Sequence, residues 1–281
     1  MRQFKISGFA DEAGKTTEEQ IKVLRINNIG NIEVRGIDGK NILDLNDAEL
    51  RRLKNRLDEN GIRVSAIGSP IGKTPVQEKF ELTGAAFDKA LIAAEILDAP
   101  YIRAFSFFIP KGGDPMQWAD EVVLRLTELV KRAEEKGRRY ALENESGIFT
   151  DIPDRCAYVL DRVPRLCLAF DPGNFIMNNA GPLEAWKLLK NKVAYFHIKD
   201  GTTEPRRNVP AGEGEGYIPE ILKDAYNSGF DSYLSVEPHL QHLENLNNAQ
   251  RFTVAANALK EILNTVFDAG LDIVDLNILY E

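Results

Sequence analysis

The regular alternation of short apolar segments with longer amphipathic segments constrains this chain most. Eight segments rich in β-branched and aromatic residues are predicted as strands, at 4–9, 31–35, 63–67, 101–106, 139–144, 166–171, 193–199 and 233–237. Strands that alternate with helices favour a parallel sheet covered by helices. Eight is also the number at which such a sheet closes, so we predict an α/β fold, a single-domain (β/α)8 TIM barrel.

Start and stop signals support the helices between these strands. Asn46 or Asp47 is a suitable first residue for the second helix, and Gly61 is a suitable stop. The longest helices are predicted over 80–97, 115–136 and 249–266. A doubly wound open sheet is the alternative fold. It is disfavoured because no G-x-G-x-x-G motif follows the first predicted strand.

The chain has 281 residues, a length that one barrel domain accounts for, and no linker or low-complexity tract divides it. We therefore predict one domain over 1–281. The apolar tail, 267–281, is expected to pack on the barrel or on a partner subunit. A homo-oligomer, either a dimer or a tetramer, is the corresponding expectation.

Charge and cysteine content narrow the class of protein. The 35 basic and 43 acidic residues give a net charge of -8, which disfavours nucleic-acid binding because phosphate backbones attract basic surfaces. The sequence shows no signal peptide and no apolar run long enough to span a membrane. Cys156 and Cys167 lack metal-binding or redox spacing and are interpreted as reduced and buried. These features predict a cytoplasmic protein that does not bind membranes.

Four consecutive predicted strands finish in residues that can bind a metal: Glu143, Asp171, His197 and Glu237. Taken singly, each carboxylate could be a helix cap or a solvated loop residue, and His197 a core histidine. In a barrel, however, the carboxyl ends of the strands converge on one mouth. Three carboxylates in one small space would repel each other unless a cation joined them. Oxygen ligands with one imidazole suit Mn²⁺, Mg²⁺ or Co²⁺ better than a structural zinc.

The sequence around these residues resembles the xylose isomerase-like barrel superfamily, and within it the sugar isomerase/epimerase branch that includes the ketose 3-epimerases. The strand-end motifs that carry the resemblance are Glu143-Asn144, Phe170-Asp171-Pro172-Gly173-Asn174-Phe175, His197-Ile198-Lys199-Asp200 and Glu237-Pro238-His239. Three further similar stretches are Gly68-Ser69-Pro70-Ile71-Gly72-Lys73, Ile102-Arg103-Ala104-Phe105-Ser106 and Pro210-Ala211-Gly212-Glu213-Gly214. The similarity extends over about residues 4 to 240.

The resemblance implies one divalent metal ion held by Glu143, Asp171, His197 and Glu237. Mn²⁺ is expected first, with Mg²⁺, Co²⁺ and Zn²⁺ as alternatives. In the epimerases the first and last of these carboxylates lie on opposite faces of the sugar, so Glu143 and Glu237 are the predicted catalytic pair. One removes a proton beside the carbonyl and the other returns it, through a metal-stabilised enediolate. The expected substrate is a small carbohydrate.

Two departures from the epimerase pattern affect the predicted substrate contacts. Asn174 stands where the epimerases usually have a histidine that touches substrate oxygens, and Phe149 stands where some have a glutamate. The apurinic endonuclease branch of the superfamily needs several histidines for its three zinc ions. This chain has only His197, His239 and His242, which disfavours DNA repair.

Four residues are predicted to bind substrate: Asn174, Lys199, Arg103 and Glu33. Lys199 follows His197 by two, so strand alternation places both on one face. It either contacts a substrate oxygen or pairs with a carboxylate at the rim. Arg103 either grips the substrate or forms a salt bridge with Glu33 or Glu143. Glu33, with Arg35, is either a substrate clamp or half of a neutralised pair.

The glycine-rich stretch 212–216 superficially resembles a phosphate-binding loop, but its glutamates would repel phosphate, so a flexible lid is the better interpretation. Three functions follow from the whole sequence. The first is a metal-dependent sugar isomerase or epimerase. The second is a dehydratase of a keto-polyol, like the inosose dehydratase members of the superfamily. The third is a sugar-binding barrel without catalysis.

Overall fold

The computed structural model of the protein describes residues 4–277. Eight parallel strands form its central sheet: β1 Lys5–Gly8, β2 Asn31–Val34, β3 Arg63–Gly68, β4 Tyr101–Ala104, β5 Arg139–Glu143, β6 Cys167–Phe170, β7 Val193–Ile198 and β8 Tyr233–Val236. They are hydrogen-bonded in the order β1-β8-β7-β6-β5-β4-β3-β2. The predicted (β/α)8 TIM barrel is confirmed, and each predicted strand agrees with the observed one to within two residues.

The barrel closes between β1 and β2 through side chains. Within the described part of the chain, no backbone ladder joins these two strands. The Asn31 amide instead donates a hydrogen bond to the carbonyl oxygen of Ile6 at 2.9 Å. Nearby, the Ser65 hydroxyl lies 2.6 Å from the Ser7 hydroxyl and donates to the Ile32 carbonyl oxygen at 3.0 Å. The ring is therefore complete, but one of its junctions depends on polar side chains.

Nine helices lie in the described residues: α1 Thr17–Ile26, α2 Asp47–Glu59, α3 Phe80–Ile96, α4 Ala119–Glu135, α5 Pro153–Arg162, α6 Pro172–Met177, α7 Pro182–Leu189, α8 Ile218–Asn227 and α9 Asn248–Phe267. Capping boxes at Thr16, Asn46 and Asn247 begin three of them. The helix predicted from residue 115 begins as a 3-10 turn, Pro115–Trp118, before α4.

The main core lies between the strands and the helices, and a smaller cluster fills the barrel itself. Tyr101 and Tyr195 pack inside the ring against small residues, among them Ala141 and Ala169. Above this layer the inward positions are polar. Cys156 and Cys167 are both free and buried, in agreement with the sequence interpretation.

The first part of the C-terminal tail lies along α9. The Asn257 side chain exchanges two hydrogen bonds with the Val274 backbone, and Asn264 does the same with Leu271, at 2.7–3.0 Å. Residues 278–281 of the predicted tail lie outside the described residues.

None of the helices within 4–277 combines the length and apolar character that crossing a membrane requires.

Candidate metal centre

The structure brings the four predicted metal ligands together. Glu143 ends β5, Asp171 follows β6, His197 lies in β7 and Glu237 follows β8. One ligand atom from each lies within 4.8 Å of the others, and all four residues are buried. His197 Nδ1 is 3.4 Å from Glu143 Oε1, 3.7 Å from Glu237 Oε2 and 4.0 Å from Asp171 Oδ2. The convergence follows from the parallel register, in which neighbouring strands finish at the same level.

Two atoms of this group are buried without a hydrogen bond of regular geometry, His197 Nδ1 and Asp171 Oδ2, and only the second has a cation in contact, Lys199 Nζ at 2.6 Å. A buried polar atom without a partner costs about 1–3 kcal/mol, so a protein rarely retains one without a use for it. Both atoms face the centre of the group. Three carboxylates and one imidazole are also a donor set suited to a divalent cation. These residues therefore fit the ion that the sequence predicted.

The charges around the group lead to the same conclusion. Four buried carboxylates lie here, those of the three acidic ligands and of Glu33. Two buried cations contact them, Arg103 and Lys199. Without an ion, Glu33 and Glu143 outweigh burial and hold the pKa of His197 well above its usual value, so the imidazole is a third cation. An ion that displaced the His197 proton would leave a surplus of two negative charges, which one divalent cation balances. Arg35 also contacts Glu237, but it is itself paired with Asp11 and Glu12.

The protonation of the acidic ligands follows from these neighbours. Burial alone would raise the pKa of Glu143, but His197 and Arg103 outweigh it and lower the pKa to about 2. Likewise, Lys199 and the two histidines His239 and His197 overcome burial and hold the pKa of Glu237 well below its usual value. Both glutamates are therefore carboxylates at neutral pH.

A cavity of about 350 Å³ opens above the group. Glu143 and Glu237 line it, whereas Asp171 and His197 are fully buried beneath it. Phe105 contributes an apolar wall to the same cavity. The four candidate ligands thus fall into two pairs, one that meets the cavity and one that does not.

Lys199 lies on the same face as His197, as strand alternation predicts, and it lines the cavity. Its ammonium is 2.6 Å from Asp171 Oδ2 and 3.0 Å from Glu237 Oε2. Its ion-pair partners are therefore two of the candidate metal ligands.

Arg103 also lines the cavity and forms one of its predicted salt bridges. Its Nε lies 3.0 Å from Glu143 Oε2, and its Nη1 donates to the Ser69 carbonyl oxygen at 2.7 Å. The guanidinium packs on the Phe105 ring, 4.7 Å from its centroid. Arg103 is thus held firmly while part of it faces the cavity.

Asn174 reaches the cavity from the first turn of α6. Its side-chain amide donates to Glu143 Oε1 at 3.0 Å and to the Asn144 carbonyl oxygen at 2.9 Å. Its backbone N–H donates to Asp171 Oδ1 at 2.8 Å. Asn174 therefore orients two of the candidate ligands, a part that the sequence did not reveal.

Glu33 lies elsewhere than the sequence predicted. It is not among the residues that line the cavity, and its side chain is fully buried beneath His197. Glu33 lies within β2, one residue before the strand ends and next to a shift of its register with β3. The expected substrate contact is therefore corrected to a contact with the histidine.

Several cavity residues were missed by sequence reasoning. Lys73 and Glu145 form an ion pair at 2.8 Å on the rim, and Asn208 reaches the cavity from a hairpin after β7. Glu12 contacts His239 Nε2 at 3.2 Å. Lys73, Glu145 and Asn208 lie in loops or a short hairpin, where periodicity carries no information about direction, and Glu12, which does not line the cavity, ends a short 3-10 helix.

The family model of the xylose isomerase-like TIM barrel matches residues 29–274 of this sequence. The match covers most of the chain, and the chain belongs to this family. No curated protein matches the sequence.

Several solved structures of other proteins share the fold. The IOLI protein, whose crystal structure contains a zinc atom, has 18% identity and a TM-score of 0.78, over 94% of this chain and 99% of that chain. A D-tagatose 3-epimerase-like protein has 18% identity and a TM-score of 0.75 over the same shares. The probable 3-DHS dehydratase AsbF from Bacillus anthracis has 17% identity and a TM-score of 0.73, over 91% and 99%. The fold thus occurs with epimerase-like and dehydratase relatives.

Proposed function

We propose that this protein is a divalent-metal-dependent enzyme that isomerises or epimerises a sugar by moving a proton beside a carbonyl. The observation that carries the proposal is the division of the four candidate ligands. Glu143 and Glu237 line the cavity, whereas Asp171 and His197 lie beneath it. Two carboxylates that hold an ion and also face the substrate are in position to act as bases.

Glu143, Asp171, His197 and Glu237 would hold the ion. A bound divalent cation would supply positive charge to a carbonyl oxygen, which makes the neighbouring carbon easier to deprotonate. Mn²⁺ is the ion we expect first, with Mg²⁺, Co²⁺ and Zn²⁺ as alternatives. The IOLI protein, which shares the fold, binds a zinc atom, and this supports a divalent ion in the present protein.

The surroundings of the two glutamates suit proton transfer. Arg103 and Asn174 both contact Glu143, so its carboxylate is held in one orientation. Glu237 is held in the same way by Lys199 and His239, at 3.0 and 3.1 Å. Each carboxylate is ionised and can accept a proton from a substrate carbon. In this proposal one glutamate removes the proton and the other returns it.

The cavity walls suit a polyhydroxylated substrate. Lys199, Arg103 and Asn174 present polar groups for hydroxyl and carbonyl oxygens. Phe105 and Met177 offer apolar surface for the C–H faces of a sugar. The mixture of a few placed polar groups with apolar surface is typical of small-molecule sites.

A dehydratase is the second candidate, because loss of water from a keto-polyol begins with the same proton abstraction. Lys199 favours it, since its ammonium lines the cavity and could protonate a departing hydroxyl. The probable dehydratase AsbF shares the fold. A product lighter by one water would identify this reaction, whereas an isomer or epimer keeps the mass of the substrate.

The test is proton–deuterium exchange in D₂O with the metal-loaded protein and a panel of ketoses and keto-polyols, followed by mass spectrometry. We expect Glu143→Gln and Glu237→Gln each to slow exchange by about 10²–10⁴-fold, the usual contribution of a general acid or base. Glu184→Gln, at an exposed carboxylate on α7, serves as the matched control and should leave exchange unchanged. Full exchange in either active-site variant would end the two-base proposal. Sugar binding without any exchange would indicate a non-catalytic barrel.

A further inference from the structure

Glu33 is a buried carboxylate that the proposed reaction does not use. The Tyr195 hydroxyl donates to Glu33 Oε1 at 3.0 Å. His197 Nε2 lies 3.3 Å from Oε1 and 3.2 Å from Oε2. Arg103 is farther away, with its Nε 3.7 Å from Oε1 but 3.0 Å from Glu143. The close partners of Glu33 are therefore the tyrosine and the histidine.

The two ring nitrogens of His197 consequently have different surroundings. Nε2 faces Glu33, while Nδ1 faces Glu143 and Glu237. A carboxylate only accepts hydrogen bonds, so Nε2 must carry the proton that joins it to Glu33. Nδ1 also faces carboxylates, and a divalent cation that bound there would displace its proton and take the lone pair while Nε2 keeps its proton. The Phe9 ring meets the imidazole edge to face, 5.1 Å between centroids, and limits rotation of the ring.

We propose that Glu33, oriented by Tyr195, is a positioning residue of the metal centre: it fixes the proton of His197 on Nε2 and so presents Nδ1 to a divalent cation. The inference rests on the metal centre of the proposed function and assigns an outer partner to one of its ligands. Metal-bound histidines usually donate their second N–H to such a partner, which sets the tautomer and the ring orientation.

The first experiment measures metal affinity without substrate, by competition between the protein and a chromophoric chelator for Zn²⁺ and for Mn²⁺. Glu33→Gln should weaken binding about 10–100-fold, the usual effect of removing an outer partner. Tyr195→Phe should weaken it less, since it leaves Glu33 in contact with His197. Thermal unfolding of the metal-free variants establishes that each one folds.

Glu121→Gln is the control, because Glu121 pairs with Arg125 at 2.6 Å on α4 and is neither a candidate ligand nor a residue that lines the cavity. Its effect should stay within about fivefold, as expected for a partly exposed ion pair. If the wild type binds either ion while Glu33→Gln binds it equally well, this inference is wrong and the proposed function stands. If the wild type binds neither ion, both fail.

A second measurement on the wild type keeps the inference testable if Glu33→Gln does not fold. Nitrogen NMR of the zinc-loaded protein with labelled histidine should show the His197 proton on Nε2. The variants His239→Gln and His242→Gln assign the signals, since the chain has three histidines. A proton on Nδ1 of His197 would overturn the assignment.

Discussion

Asp171 and Asp200 each follow a barrel strand and are buried to the same degree, but their carboxylates have different partners. Asp200 Oδ1 accepts backbone N–H groups from Gly201 and Gly216. Its Oδ2 accepts those of Gly212 and Gly214.

Asp171 has one such bond, from the Asn174 N–H to Oδ1, and its Oδ2 has no hydrogen bond although Lys199 lies beside it. Burial therefore does not distinguish the two carboxylates. They differ in their partners: backbone N–H groups bind both oxygens of Asp200, whereas Oδ2 of Asp171 contacts the Lys199 ammonium at 2.6 Å and faces the other candidate ligands.

The pKa values add to this contrast. Burial raises the pKa of Asp200 even though four N–H groups oppose the rise. For Asp171, burial, with smaller contributions from Glu237 and Glu143, raises the pKa to about 7 although Lys199 opposes it. Four N–H groups compensate part of the cost of burying the Asp200 charge, whereas the Asp171 charge depends on Lys199 and would gain from a bound cation.

Asp171→Asn gives the largest expected effect, on metal binding. Losing a charged ligand should weaken divalent-cation affinity by more than about 100-fold, since even outer partners are worth 10–100-fold. The metal-free variant should be at least as stable as the wild type near neutral pH, because the change removes a buried charge whose burial costs more than its pairing with Lys199 returns. Chelator competition and thermal unfolding measure the two quantities. An unchanged affinity would remove Asp171 from the metal centre.

The stability of the metal-free protein should also depend on pH through Asp171. Its folded pKa, about 7, lies above its ordinary value of 3.8. Folding therefore gains stability from this group at low pH, fully below about pH 4, and loses it as the pH rises through 7.

Relative to Asp171→Asn, the wild type should lose stability over that range, by roughly 4 kcal/mol at most. Denaturant unfolding of both proteins at several pH values measures the difference. A parallel pH dependence would contradict the assignment.

Asp200→Asn should give the smallest effect, and it should change the free energy of unfolding rather than metal affinity. The amide replaces one acceptor oxygen by a donor that faces N–H groups, so the free energy of unfolding should fall by about 1–3 kcal/mol. Because Asp200 is not one of the four ligands, metal affinity should be retained in the folded variant. Denaturant unfolding with chelator competition tests both points. A loss of affinity without a loss of stability would reverse the contrast between the two aspartates.

The sequence predicted the strands and the four clustered ligands because both follow from regular rules. Short segments rich in β-branched and aromatic residues mark strands, and parallel strands bring their carboxyl ends together. Strand alternation gives the face on which a side chain lies, as for Lys199, but it does not give the partners of that side chain. Glu33 was predicted to bind substrate, but it lies within β2 rather than beyond its end and contacts His197 instead. The bonds of Asn174 to Glu143 likewise depend on where α6 begins after β6.

The role of the glycine-rich stretch 212–216 could not be predicted from the sequence either. The sequence suggested a lid, but its glycine N–H groups bind Asp200. A Cβ on Gly214 would lie 2.3 Å from Asp200 Oδ1, and one on Gly216 2.6 Å from it. Glycine is thus required there for close approach, a reason that only the folded neighbours disclose.

The polar junction between β1 and β2 has a consequence for motion. A junction of side-chain hydrogen bonds opens more readily than a continuous backbone ladder, so local opening of the barrel should begin between β1 and β2. Glu33 lies on β2, one of the two strands at this junction. Among the eight barrel strands, amide hydrogen exchange should therefore be fastest along β1 and β2. Cation binding should slow this exchange, because His197, a candidate ligand of the ion, contacts Glu33 on β2.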